Sequence, residues 1–122
     1  MIRGIGIDAV DIDRFRRSLS RTPAMRERLF TAEELAYVAP QVDPVRSLAA
    51  RFAAREAVMK AMGLGLGAFG FHDVSVARAD TGAPSLRVVG RAAELAADRG
   101  IMHWHLSLTH TDLVAIASVI AE

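Results

Sequence analysis

Apolar residues alternate with small or acidic ones from Ile2 to Val10, with Ile5, Ile7 and Ala9 on one side and Gly4, Gly6 and Asp8 on the other. That period of two predicts a β-strand. The period then lengthens: Asp13 can cap a short helix carrying Arg14, Phe15, Arg17 and Leu19, and a second short helix is predicted near Pro23 to Leu29. In Phe30-Thr31-Ala32-Glu33-Glu34 a capping threonine precedes a glutamate by three residues, the signature of a helix start, here running to about Val38. Asp43-Pro44 opens the longest helix, which extends to about Met62 and stops at Gly63. His72 to Arg78 and Ser85 to Val89 read as strands around the turn Asp80-Thr81-Gly82-Ala83-Pro84. A helix from Arg91 to Asp98 ends at Gly100, and a hairpin follows, His103 to Thr109 and Leu113 to Ile120, joined through His110-Thr111-Asp112. The pattern predicts an α+β fold: a single domain, 1–122, with a largely antiparallel sheet packed against one long central helix and shorter helices.

Composition narrows the class. With 122 residues, 52% apolar and 24% charged, the chain has enough hydrophobic surface for one core and is not a disordered tail. It has no cysteine, which excludes disulfides, thiolate metal sites and a cysteine nucleophile. The longest nearly apolar run, Leu113 to Ala121, is about half of a bilayer span. Asp8, Asp11 and Asp13 interrupt any signal-peptide core. A soluble, cytoplasmic protein with no membrane association is expected. The net charge of +1 says little, but seven of the 15 basic residues (Arg3, Arg14, Arg16, Arg17, Arg21, Arg26 and Arg28) fall in the first 28 positions, against four acids. Such a cluster is either a solvated helix face or a landing site for an acidic macromolecule, nucleic acid or protein.

Helical phase singles out Glu56. With Val45 as origin at ~100° per residue, Ala49 falls at about 40°, Phe52 at about 340°, Met59 at about 320° and Leu48 at about 300°, with Glu56 inside that apolar arc at about 20°. A carboxylate there must be neutral, paired or bound to a cation. Lys60, one turn on, is one candidate partner. Asp8 is the other acid out of place, on a strand face otherwise made of Gly4 and Gly6, where another backbone or a ligand can come close. If the long helix lies across this face, Asp8 and Glu56 meet. Two carboxylates at one point then call for a proton or a hard cation with oxygen ligands, and magnesium fits better than zinc. Three other signals are weaker. Gly65, Gly67 and Gly70 spell G-x-G-x-x-G, but a helix precedes and a strand follows, the wrong context for a dinucleotide site. His103, His105 and His110 lack a defined zinc geometry. Ser107 and His110, three apart on a strand, point to opposite faces and make a poor nucleophile pair. His110, beside Asp112 at the turn, is better placed to reach a ligand.

The same residues carry a family resemblance. Gly6-Ile7-Asp8, Ile12-Asp13-Arg14-Phe15 and Phe30-Thr31 with Glu34-Leu35 resemble the opening of holo-acyl carrier protein synthases. Arg51-Phe52-Ala53-Ala54-Arg55-Glu56-Ala57 with Lys60-Ala61 and Gly63 is similar to their central signature. Gly82-Ala83-Pro84 and His105-Leu106-Ser107-Leu108-Thr109-His110-Thr111 are similar to their closing motifs. One departure is Arg55, where the family usually has lysine; if that residue touches phosphate, affinity changes, because guanidinium and ammonium are not equivalent. The resemblance implies Mg²⁺-dependent transfer of 4′-phosphopantetheine from coenzyme A to a serine of apo-acyl carrier protein, for fatty acid synthesis. It implies Asp8 and Glu56 as metal ligands and, with Lys60 and His110, as the catalytic group. Coenzyme A would be contacted by Arg51, Lys60, Gly63, Pro84, His110 and Thr111, and the carrier protein by Arg14, Arg17 and Arg21. It also implies a homotrimer with shared active sites. Glu56, a metal-bound water and His110 are alternative bases for the serine proton. Two other readings are a small basic nucleic-acid-binding module, for which the chain lacks an aromatic stacking platform, and a non-catalytic trimer of the same fold.

Overall fold

The computed structural model describes residues 1–122. β1 (Gly4–Asp11) runs antiparallel to β5 (Val114–Ala121), which also pairs antiparallel with β4 (Trp104–His110), giving the order β1-β5-β4. β2 (Val74–Arg78) and β3 (Pro84–Val88) form a separate antiparallel pair, so the expected sheet is divided in two. The helices are α1 (Ile12–Arg21), α2 (Met25–Leu29), α3 (Ala32–Val38), α4 (Val45–Ala61) and α5 (Gly90–Asp98), with a short 3₁₀ turn at Phe71–Asp73. His72 therefore lies in that turn rather than in β2.

Most boundaries follow from local chemistry. Asp11, not Asp13, caps α1: its Oδ1 accepts the Arg14 N–H at 2.9 Å. The reason is tertiary, since Ile12 is fully buried and already helical, so the cap must precede it. Thr31 and Glu34 form the reciprocal cap of α3. α4 begins after Pro44, with the Val45 N–H bonded to Asp43 at 3.2 Å, and gives way at Gly63 to a φ of +71°.

α4 is the spine of the molecule. It is buried nearly all round, not along the single arc expected from its phase, because the two sheets and the short helices enclose it. Its alanines permit this. Ala57 and Ala61 bring their carbonyls against Gly6 and Gly4 of β1, where a Cβ on either glycine would overlap the Ala57 or Ala61 oxygen. The inner face of the three-stranded sheet runs Gly6, Val119, Leu106 in one row and Asp8, Ala117, Leu108 in the next. The outer face runs Ile5, Ile120, His105 and then Ile7, Ser118, Ser107, and there Ile5 and Ile7 are 65% and 60% exposed. No helix is long and apolar enough to cross a membrane.

Candidate functional site at the crossing of β1 and α4

The two glycines that admit α4 also set what lies beside them. Asp8 follows Gly6 on the same strand face, and Glu56 precedes Ala57, the residue whose carbonyl touches Gly6. The close crossing therefore brings an acid from each element to one edge. The electrostatics register it: burial first, then the Asp8 charge, push the Glu56 carboxyl above the usual carboxylate range, and Lys60 opposes them. Lys60, the candidate i, i+4 partner of Glu56, bonds elsewhere. Its ammonium reaches across to β1, donating to Asp8 Oδ1 at 3.0 Å and to the Ile7 carbonyl at 3.1 Å. The helix ends one residue on at Ala61, so the flexible lysine stem is free to lean over the strand.

The donor set suits a hard cation. Both acids offer oxygen only; no third His, Cys, Asp or Glu joins them, and no such cluster forms elsewhere in the chain. That finding also removes the histidine triad as a zinc centre. His105 sits on the outer sheet face instead, 3.1 Å from Glu122 Oε1, and holds that carboxyl below its usual range. Next to Asp8 opens a cleft of about 370 Å³ lined by Asp8, Ala9, Val10, Asp11, Arg14, Phe15, Ser18 and Phe52. Arg14, Arg17 and Arg21 are exposed and lie at i, i+3 and i+7 on α1, so they make one basic stripe leading from the cleft. Arg16 is turned away from it, held in a two-pronged bond to Asp43 at 2.9 and 2.8 Å.

The remaining expected ligand contacts are scattered over one chain. Gly63 lies just past Ala61, level with Gly4 and the Trp104 end of the sheet. His110 is level with Val10, six residues along the sheet and about 20 Å away at ~3.4 Å per residue. Pro84 opens β3 opposite Arg78. Thr111 Oγ1 is occupied within its own turn, accepting the Leu113 and Val114 N–H groups at 3.2 and 3.1 Å.

Comparison with known proteins places this arrangement. The family model described as the 4′-phosphopantetheinyl transferase superfamily matches residues 4–117. A holo-(acyl-carrier-protein) synthase of Frankia casuarinae is 50% identical over 119 residues, covering 98% of this chain and 96% of the relative. The crystal structure of the corresponding synthase from Neisseria meningitidis superposes with a TM-score of 0.91 at 34% identity, covering 100% and 99% of the two chains. That from Bacillus anthracis, solved in complex with CoA (3′,5′-ADP), gives 0.83 at 32% identity, covering 100% and 97%. The chain belongs to the 4′-phosphopantetheinyl transferase superfamily. Within it, the chain is an enzyme of the holo-(acyl-carrier-protein) synthase group.

Two arginines of the family-like central motif are buried within the chain. Arg51, expected on coenzyme A, is 1% exposed: its guanidinium stacks 4.7 Å from the Tyr37 ring centre, faces Glu34 at 4.0 Å, and leaves Nε without a partner. Arg55, considered for phosphate, is fully buried and bound to Glu34. Both burials have one cause, the enclosure of α4 on the side that its sequence marks as polar. Glu34 itself was legible only as a helix cap. Its second role, as the counter-charge of a buried arginine 21 residues away, leaves no local signal.

Proposed function

We propose that this chain transfers the 4′-phosphopantetheine group from coenzyme A to a serine of an apo-acyl carrier protein, supplying holo-carrier for fatty acid synthesis in the cytoplasm. What supports this reading is the close approach of α4 to β1 at Gly6 and Ala57, next to Asp8 and Glu56, with the Asp8 charge helping to raise the Glu56 carboxyl. Asp8 and Glu56 would hold Mg²⁺, which when bound supplies positive charge to the pyrophosphate oxygens. The serine oxygen forms a bond to the β-phosphorus of coenzyme A as the pyrophosphate P–O bond breaks. Adenosine 3′,5′-bisphosphate leaves with that electron pair, and the serine proton passes to a base. Glu56 and His110 are the side chains of this chain able to accept it. Lys60, now 3.0 Å from Asp8, has the reach and charge to stabilise the leaving phosphate.

The stripe of Arg14, Arg17 and Arg21 fits an acidic protein surface and guides it to the cleft beside Asp8. Assembly as a homotrimer accounts for two further features. The outer sheet face presents Ile5 and Ile7 to solvent beside Ile116 and Ile120, an apolar surface that a neighbouring copy would cover. The separation of Gly63 from His110 within one chain is resolved if a second subunit brings its own His110, Thr111 turn to the first subunit's Lys60 and Gly63.

The decisive experiment incubates the protein with coenzyme A, Mg²⁺ and an apo-carrier protein and weighs the carrier for the added group. Asp8→Ala and Glu56→Ala are expected to lose transfer by about 100-fold or more while keeping their circular dichroism spectra. Ordinary turnover in both removes the cation assignment. Arg14→Ala is expected to raise KM for the carrier about tenfold with KM for coenzyme A little changed. Equal rises for the two substrates would remove the docking role.

A further inference from the structure

We infer that Arg55 is a positioning residue: locked to Glu34, it fixes the rotational setting of α4 and thereby the place of Glu56 opposite Asp8. The inference rests on the cation reading above and extends it to a group that touches neither substrate nor ion.

Residues 55 and 56 are neighbours on α4, about 100° apart around its axis, so turning one turns the other. On the β1 side the directional hold is one exposed, flexible side chain, Lys60, which reaches Asp8 Oδ1 and the Ile7 carbonyl. Ala57 and Ala61 meet Gly6 and Gly4 through their backbone, contacts that set how near the helix comes. At a side-chain radius of about 6 Å, a rotation of about 20° would carry the Glu56 carboxyl about 2 Å sideways, as far as a whole Mg–O bond of ~2.0–2.1 Å. Directional bonds on the buried side of the helix therefore bear directly on a two-carboxylate site.

Arg55 supplies one with directional bonds. Its Nε donates to the Phe71 carbonyl at 2.8 Å, Nη1 to Glu34 Oε2 at 3.0 Å, and Nη2 to Glu34 Oε1. Glu34 is itself pinned, accepting the Thr31 N–H at 3.0 Å and the Val76 N–H at 3.1 Å. The planar fork thus ties α4 to α3, to β2 and to the 71–73 turn at once, with Phe30 stacked 5.1 Å from the guanidinium carbon. An ammonium at this position, usual in the family, keeps the charge opposite Glu34, whereas an uncharged amide of similar length loses the ion pair.

The test titrates Mn²⁺ into the metal-free protein and counts free ion by paramagnetic resonance, at a temperature where circular dichroism shows every variant folded. Arg55→Gln is expected to bind Mn²⁺ about tenfold more weakly, the scale of groups that orient metal ligands. Arg55→Lys, the residue usual in the family, keeps the charge opposite Glu34 and is expected to bind within about twofold of wild type. Ile101→Val, a core change just past α5, is expected to bind as wild type although it too lowers the thermal midpoint. Wild-type affinity in Arg55→Gln overturns the inference, as does an equal loss in Ile101→Val or in Arg55→Lys. If Arg55→Gln does not fold, Glu34→Gln, which keeps the side-chain shape, is read by the same criteria. Glu56→Gln runs alongside: if it binds Mn²⁺ as tightly as wild type, the cation assignment falls and this inference with it.

Discussion

Glu34 and Glu56 are carboxylates on helices of one core, and the protein shifts them in opposite directions. Burial acts on both first and raises both. At Glu34 the raise is overcome by the Arg55 guanidinium and by N–H groups of Thr31 and Val76, so the carboxyl ends below its usual range. At Glu56 the nearest additional charge is another acid, Asp8, and Lys60 only partly offsets it, so the carboxyl ends above its usual range. The corner that holds Glu34 is thus a closed structural pair. The edge that holds Glu56 carries uncompensated negative charge, which is the state a cation would relieve. The difference teaches that neither burial nor residue type assigns a role to an acid; its partners do.

Removing the counter-charge in the closed corner should have the largest effect. Arg55→Met leaves Glu34 buried with only Arg51, 4.0 Å away, as counter-charge, and is expected to cost about 3 kcal/mol in urea unfolding. In the wild type, the lowered Glu34 contributes stability above its unfolded pKa near 4.5, and that contribution is lost as pH falls through the folded value. At the open edge the sign reverses. The folded Glu56 pKa lies above the unfolded one, so its charged form opposes folding at high pH and the penalty disappears as pH falls below 4.5. Glu56→Gln is therefore expected to raise the thermal midpoint of the metal-free protein by about 1–3 °C at neutral pH, with no gain in acid, while abolishing transfer. A fall in midpoint would mean that the Glu56 charge is compensated in the folded protein. The smallest effect belongs to a third acid, Asp43, which the Arg16 guanidinium holds down to about 2 from 3.8 in a largely solvated pair. Asp43→Asn should lower the midpoint by about 1–2 °C at pH 7, and the gap to wild type should close as pH drops from 3.8 toward 2.

The elements themselves were readable because their signals are local. The alternation in β1, the Thr31–Glu34 cap and the Gly63 stop each act over a few residues, and each appears in the fold. The departures share a different origin. The cap at Asp11 rather than Asp13 depends on Ile12 being buried by distant residues. The division of the sheet depends on how β3 passes β4, packed against it without a ladder. Lys60 chooses Asp8 over Glu56 because the strand lies within its reach once α4 has docked.

For the site, the order of residues along the chain determined which acids were anomalous: Glu56 by helical phase and Asp8 by its place among glycines. Those are properties of periodicity, and periodicity is written in the chain. Whether the two acids face each other, which of three nearby cations serves Asp8, Glu56 or Glu34, and why Arg51 and Arg55 turn inward were decided only when α4 was enclosed on every side. Coulombic and desolvation energies depend on distances in space between residues 21 to 52 positions apart, and no local pattern encodes those distances.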